Sequence, residues 1–302
     1  MIASHPLRDY AKLHFIILLW GITAILGKMI DLPSIELVLL RTGLTAIGLA
    51  FLLRIKGISL TLELSSALKF IGIGFLIGVH WILFFLSAKI SHVSVCLVAL
   101  ATTAFWTALL EPLMTRGRSI RGYELLLGLI MIGAIAWIFQ GGFQHITGFL
   151  VGIGSALAGT VFSILNGRYA PRHHHWVITF YEMSGAALFC LLCLPLSATY
   201  FTNGGGLDLV PSPMEWVWLL ILVFACTIYA YSEYVELLNR LSVFTINLAY
   251  NLEPVYGILL AAILFAEHKD LGSRFYLGAV IILAMVIAHP LLERASRQRS
   301  LA

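Results

Sequence analysis

The chain has 302 residues, 60% of them hydrophobic and only 11% charged, with a formal net charge of +4 and a mean hydropathy of +0.95. Soluble globular domains carry about 25% charged residues, so this supply cannot coat a water-facing surface, and two soluble domains are excluded. No stretch combines dense Lys/Arg with interleaved aromatics, which excludes a nucleic-acid-binding groove.

A bilayer-spanning helix needs about 20 mostly apolar residues. In chain order ten stretches meet that length: Leu13–Ile30, Ser34–Arg54, Ala67–Ala88, Val93–Met114, Tyr123–Phe139, Gly148–Leu165, Trp176–Leu196, Trp216–Leu238, Phe244–Phe265 and Phe275–Leu292. These runs are apolar on all sides rather than alternating, so they read as helices and not as barrel strands. The first run is longer than a secretory h-region and no small-residue cleavage site follows it, so it is expected to be a mature helix. The breaks between runs are short, and only Ser197–Glu215 is expected to form a long loop. With the N-terminus inside, 14 of the 19 Lys/Arg fall in cytoplasmic segments. Lys28, Lys89, Lys269 and Arg274 fall outside, and Arg41 lies within a span. That asymmetry is the positive-inside pattern and puts both termini in the cytoplasm.

Cys96, Cys190, Cys193 and Cys226 all fall within spans, where the C-x-x-C spacing of Cys190 and Cys193 reads as small apolar filler and no disulfide framework is expected. His173, His174 and His175 are adjacent on a short loop, a spacing that rarely converges on one ion. They are expected to be a polar cytoplasmic loop, and no metal site or cofactor is implied.

Self-similarity organises the chain further. Ser91–Leu110 aligns with Leu241–Leu260 at a constant offset of 150, which also places Trp81 on Tyr231, Lys89 on Asn239 and Gly128 on Gly278. At an offset of 141, Arg41 falls on Glu182. Five helices per copy is an odd number, so the second copy is inverted relative to the first. The expected fold is an all-α polytopic membrane protein of ten transmembrane helices, built as two inverted five-helix repeats, 1–145 and 146–302, in one integrated domain. Inverted repeats with a midplane site recur in secondary transporters.

The segment Asn251-Leu-Glu-Pro-Val-Tyr-Gly-Ile-Leu-Leu-Ala-Ala-Ile-Leu-Phe-Ala-Glu267 resembles the end-of-repeat signature of the EamA branch of the drug/metabolite transporter superfamily. Leu19-Trp20-Gly21, Arg41 and the Tyr229–Asn239 stretch before Arg240 fit the same pattern. The resemblance implies a ten-helix secondary transporter in a bacterial inner (plasma) membrane, most often an exporter or exchanger of small metabolites, with no ATPase of its own. The first copy departs from the signature: Ala104 stands where Pro254 would be, Gly117 replaces Glu267, and Glu111-Pro112 appears lower in that helix. Symmetric kinking of the two copies is therefore not expected.

An ionisable residue inside a span costs about 2.5–3.5 kcal/mol on insertion scales, so each is a functional candidate. Glu253 lies near the middle of its helix. Pro254 is expected to kink that helix and free the carbonyl of Tyr250, with Asn251 joining the polar patch. An acid, an amide and a free carbonyl at one depth can bind an ammonium group, a proton or another cation. Arg41 lies about 10 Å from the outer end of its helix, at 1.5 Å per residue. It is expected to pair with an internal carboxylate or anchor an anionic substrate group, and Glu182 is its repeat mate. Trp20, His80, Trp81, Trp106 and Tyr231 lie deep and suit an aromatic wall for an apolar or cationic metabolite. Tyr250 completes the set of candidate substrate-binding or coupling residues. Glu233 and Glu236 are expected on a solvated face or in salt bridges, Lys28 and Asn166 at a gate, and Gly72, Gly74 and Gly78 at close helix contacts.

The partners implied are a small organic solute such as an amino acid, the bilayer, and a proton or other ion, with no nucleic acid. The alternatives are a membrane-embedded lipid-modifying enzyme and a passive channel. Against the enzyme, the chain has no H-E-x-x-H, G-x-S-x-G or Walker A signature; against the channel, no polar stripe runs through several helices.

Overall fold

The computed structural model describes residues 6–115, 121–138, 145–170, 173–200 and 206–264, with isolated positions between 273 and 292. Among them every regular element is helical. The elements are α1 (Pro6–Gly21), α2 (Thr23–Lys28), α3 (Ser34–Ile55), α4 (Leu64–Ile90), α5 (Val93–Leu100), α6 (Thr103–Met114) and α7 (Gly122–Ile138), followed by α8 (Ile146–Tyr169), α9 (His175–Tyr200), α10 (Pro213–Val223), α11 (Ala230–Leu237), α12 (Val243–Ala249) and α13 (Glu253–Leu264). A π-helical segment, Phe224–Tyr229, joins α10 to α11, and a 3-10 turn, Tyr250–Leu252, joins α12 to α13.

Among the described residues, seven helical stretches are long and apolar enough to cross a bilayer: Leu7–Lys28, Ser34–Ile55, Leu64–Ile90, Val93–Met114, Ile146–Tyr169, His175–Tyr200 and Pro213–Leu237. The outward faces of these helices are apolar, with Phe51, Ile55, Leu191, Leu192, Leu220 and Phe224 exposed, as lipid contact requires. Ten of the 18 positions of the tenth expected span, Phe275–Leu292, lie outside the described residues, as does Phe265 at the end of the ninth.

Helix ends depart from the apolar runs where polar residues find partners. The first helix starts at Pro6, seven residues before the apolar run, because Asp9 and Lys12 are bonded across to α11 and the turn after it. The expected loop from Ser197 begins later than the composition suggested. α9 carries Pro195 internally and continues to Tyr200, with Ser197 buried and donating to Glu36 Oε2 at 2.6 Å. Pro213 then opens α10 behind a Ser212–Glu215 capping box. α3 closes in a Schellman motif, with Gly57 at φ +65° and Ile58 N–H bonded to Leu53 O at 2.9 Å.

The core is a crossing of α4 with α8 and α9, with α3 along α9. Small residues set the α4–α9 distance. A Cβ placed on Gly74 would lie 2.2 Å from Glu182 O, and one on Gly185 would lie 2.3 Å from Ile71 O. Gly78 faces Phe189 in the same way, whereas Gly72 faces open space and plays no part in the crossing.

Both helices of the aligned segment are broken, and at the same register. α5 and α6 part at Ala101-Thr102; α12 and α13 part at Tyr250–Leu252, 150 residues on. The absence of a proline at this position of the first copy therefore does not prevent its break. Thr102 and Thr103 supply one instead. Their hydroxyls donate to Ala99 O at 2.7 Å and Leu100 O at 2.6 Å, satisfying carbonyls that the turn releases. α5 packs on α13 and α6 on α12, so the two broken helices run side by side in opposite senses.

Candidate functional site

The breaks sit at the centre of the bundle and open a small cavity of about 70 Å³. Trp20 and Thr23 contribute from the first span, Arg41 from α3, and His80, Trp81 and Phe84 from α4. Leu100 and Thr103 flank the first break, Tyr250 and Glu253 flank the second, and Gly159, Phe162, Ser163 and Tyr231 complete the wall. Trp20, Arg41, His80, Trp81, Tyr231, Tyr250 and Glu253, scattered over 234 positions of sequence, are thus brought to one space. The lining also pairs residues 150 apart: Trp81 with Tyr231, Leu100 with Tyr250, and Thr103 with Glu253.

Arg41 is 1% exposed. Its Nε donates to Thr227 Oγ1 at 2.8 Å, and its guanidinium lies 3.8 Å from the centroid of the Trp81 ring. Nη1 is buried without a partner. Glu253, in the same lining, attracts it electrostatically as expected, but among the described residues no salt bridge joins the two. A hydroxyl and an aromatic face take the guanidinium, an arrangement worth about 2 kcal/mol where water is excluded, and a donor is left over. The π-helical segment makes this geometry. Its wider turn lets Thr227 reach back to Leu222 O at 2.7 Å and leaves Cys226 O free to accept from Trp20 Nε1 at 2.9 Å.

Glu253 is the first residue of α13, at a helix N-terminus where a carboxylate is favoured. Among the described residues it forms no hydrogen bond or salt bridge, so its acceptor capacity faces the cavity. The side chains of Asn251 and Pro254 lie outside the described residues.

The aromatic wall is a continuous chain of edge contacts. Trp20 meets Tyr250 at 5.0 Å and Tyr234 at 5.6 Å; Tyr234 meets Tyr231 at 5.4 Å, and Tyr231 meets Trp81 at 6.0 Å. Phe162 joins His80 at 5.4 Å. His80 is held by Ser155, Nδ1 lying 2.8 Å from its carbonyl, so its ring is fixed as part of the wall. Trp106 does not line the cavity: its Nε1 donates to Thr102 Oγ1 at 3.2 Å and its ring meets Phe105 edge-on at 5.1 Å. Glu182 lies outside the lining, fully buried and bonded to the Tyr231 hydroxyl at 2.8 Å.

Sequence reading missed Thr23, Phe84, Leu100, Thr103, Gly159, Phe162 and Ser163 of the lining, and Tyr234 of the aromatic chain. One signal was available. Gly148, Gly152, Ser155, Gly159, Ser163 and Asn166 recur every three or four residues and form the buried stripe of α8.

At the expected cytoplasmic end, Lys12 bonds to Glu233 and, at 3.0 Å, to Glu236. Arg240 bridges Glu236 at 3.0 Å and Asp9 at 3.1 Å. His175 joins this cluster, its ligand atom and those of Glu233 and Glu236 lying within 4.8 Å of one another, a convergence the sequence order does not suggest. At the other end the Asp31 amide donates to Glu215 at 2.6 Å, Lys89 to Ile30 O at 2.5 Å and Lys28 to Ser91 O at 3.3 Å. Asn166 lies away from Lys28, its amide donating to Tyr231. Lys12→Ala is expected to leave two half-buried carboxylates facing each other and to cost about 1–2 kcal/mol, between the values for exposed and buried pairs. Thermal melts over a salt series check this. The deficit should shrink as salt screens the repulsion, and a deficit independent of salt would show that only packing of the lysine stem was lost.

Comparison with known proteins bears on the fold and the family likeness. A solved crystal structure titled only as that of a protein matches with a TM-score of 0.70 at 18% identity, over 95% of this chain and 98% of that one; the likeness is one of fold. No curated protein matches. Residues 143–288, which include α8 to α13, match the sequence profile of the EamA-like transporter family. Over that stretch the chain is similar to EamA-like transporters, and its long apolar helices mark it as an integral membrane protein.

Proposed function

We propose that this protein is a secondary transporter that exports or exchanges small organic metabolites carrying an ammonium group, amino acids foremost, by alternating access. One observation carries the reading. Glu253 and Arg41, each with unused hydrogen-bonding capacity, line the same aromatic-walled cavity. An ammonium group gains a carboxylate and several ring faces, a carboxylate gains the spare Nη1 donor, and the apolar remainder meets Phe84, Leu100 and Phe162.

The ten-helix reading as two inverted repeats, 1–145 and 146–302, is supported by the matched breaks and by the three cavity pairs 150 residues apart. In this reading both termini are cytoplasmic and the membrane is a bacterial inner membrane. Alternating access then requires the two ends of the first span to release in turn. The Lys12–Glu233–Glu236–Arg240–Asp9 cluster closes one side, and the contacts of Asp31, Lys89 and Lys28 close the other. No substrate bias acts without differential affinity for the two states, and the cavity charges are where it arises.

Counterflow in proteoliposomes tests the proposal, using radiolabelled L-leucine, L-threonine, L-lysine and putrescine against glucose and uridine. Accumulation of one or more of the ammonium-bearing solutes, without the sugar or nucleoside, is expected. Exchange of glucose or uridine alone, or of no solute at all, overturns it.

A further inference from the structure

Glu182 is a fully buried acid outside the cavity lining. It has no exposed surface, and Tyr231 donates to its Oε2 at 2.8 Å. Oε1 is buried with no partner. Asn166 of α8, also fully buried, donates from Nδ2 to the Tyr231 hydroxyl at 3.0 Å and interacts with the Glu182 carboxyl as well. Its own Oδ1 lacks a donor.

The groups facing Glu182 are few. α11 offers Tyr231 and then Tyr234, whose hydroxyl is committed to Ser163 at 3.0 Å. α8 offers the neutral amide of Asn166. On α3 the cation Arg41 is engaged by Thr227 and Trp81, and on α4 His80 is engaged by Ser155. No salt bridge reaches Glu182 among the described residues. The buried carboxylate relies on the neutral donors Tyr231 and Asn166, so losing the Tyr231 bond favours a proton on Oε1, which removes the charge and turns a stranded acceptor into a donor.

Resting on the transporter reading above, we infer that Glu182 is the proton-binding group of the transport cycle, coupled to the substrate cavity through Tyr231. The Tyr231 ring lines the cavity while its hydroxyl holds Glu182. In the empty carrier that hydroxyl donates to the carboxylate. A solute pressing on the ring draws the hydroxyl away, and the carboxylate loses its donor. A proton delivered by water then forms an O–H bond on Oε1, and the negative charge is neutralised there. No bond in the solute changes. The loaded carrier therefore holds one more proton than the empty one, so net movement of solute carries a proton in the same direction and one-for-one exchange carries none.

Two readouts test this. In infrared pH-difference spectra of the purified protein, a protonated-carboxyl band is expected that is missing from Glu182→Gln and moved to higher wavenumber in Tyr231→Phe, as a C=O relieved of a hydrogen bond is. In proteoliposomes, net L-leucine efflux is expected to speed up when the lumen is made acidic. In Glu182→Gln that response disappears when each protein is normalised to its own counterflow, so a slower carrier does not imitate the result. A spectrum without a Glu182-dependent band overturns the inference. So does a Tyr231→Phe spectrum identical to the parent, or a gradient response in Glu182→Gln equal to the parent's. Counterflow of L-leucine without any gradient response in the parent protein overturns the coupling and leaves the transporter reading standing. If no solute exchanges at all, the transporter reading fails, and the infrared band alone decides whether Glu182 holds the proton.

Discussion

Replacing Glu253 with Gln is expected to raise the KM for counterflow of L-leucine roughly 10- to 100-fold with little change in thermal stability. The substitution keeps the side-chain volume and removes the charge. A hydrogen bond to a charged group contributes about 1.5–3 kcal/mol, and 1.4 kcal/mol is tenfold in affinity. Stability should hold because no residue among those described depends on the carboxylate for a hydrogen bond or salt bridge. Arg41 provides the contrast. Arg41→Met removes the spare Nη1 donor and should weaken L-leucine, which has a carboxylate, while sparing putrescine, which has none. An unchanged KM in Glu253→Gln, with the protein folded, removes Glu253 from the binding site. Equal losses for both solutes in Arg41→Met would mean that the arginine only props the wall against Trp81.

Much of this arrangement follows from the scarcity of charge. With 11% charged residues in the chain, any ionisable group deep in a helix stands out, and Arg41, Glu182 and Glu253 were visible for that reason. Rare deep aromatics were visible too, and Trp20, Trp81 and Tyr231 do share the cavity wall. What composition cannot see is partner choice. Arg41 was expected beside a carboxylate and does share its cavity with Glu253, but its hydrogen bond goes to Thr227, through a π-helical turn that no residue pattern in Phe224–Tyr229 announces. Trp106 is as apolar and as deep as Trp81, yet a turn of helix directs it to Thr102 instead. The unpredicted break in the first copy has a local cause that could have been read, since adjacent Thr102 and Thr103 can serve the carbonyls a proline would free. His175 and the Glu233–Glu236 pair meet only because α9 and α11 pack together, and sequence separation hides that. The apolar-run rule marks the membrane-embedded part of a helix. It misses extensions such as Pro6–Lys12 and Ser197–Tyr200, which are stabilised by polar contacts beyond it.

Adding one methyl group at the α4–α9 crossing is expected to destabilise the fold more than most cavity substitutions. An ideal Cβ on Gly74 would stand 2.2 Å from Glu182 O and 2.9 Å from both Gly185 Cα and Ala186 N, all backbone atoms that no rotamer can move aside. One on Gly185 would stand 2.3 Å from Ile71 O. Either alanine forces the two helices apart in the core of the bundle, and overpacking of this kind costs about 1–3 kcal/mol. Glycine-to-alanine in a helix is otherwise favourable by about 1 kcal/mol, so a control is needed that carries the propensity gain without the clash. Gly72, with nothing within 4 Å of its would-be Cβ, is that control. Gly72→Ala should match or exceed the parent in thermal stability, while Gly74→Ala and Gly185→Ala fall below it. The double variant should cost less than the sum of the two, because one separation of the helices relieves both clashes. If Gly74→Ala melts with Gly72→Ala, the helices yield without penalty and the close crossing is not what fixes the position of α9. That position matters for function as well as stability. Glu182 contributes the carbonyl that Gly74 faces and the carboxylate that Tyr231 holds, so spreading the crossing moves both.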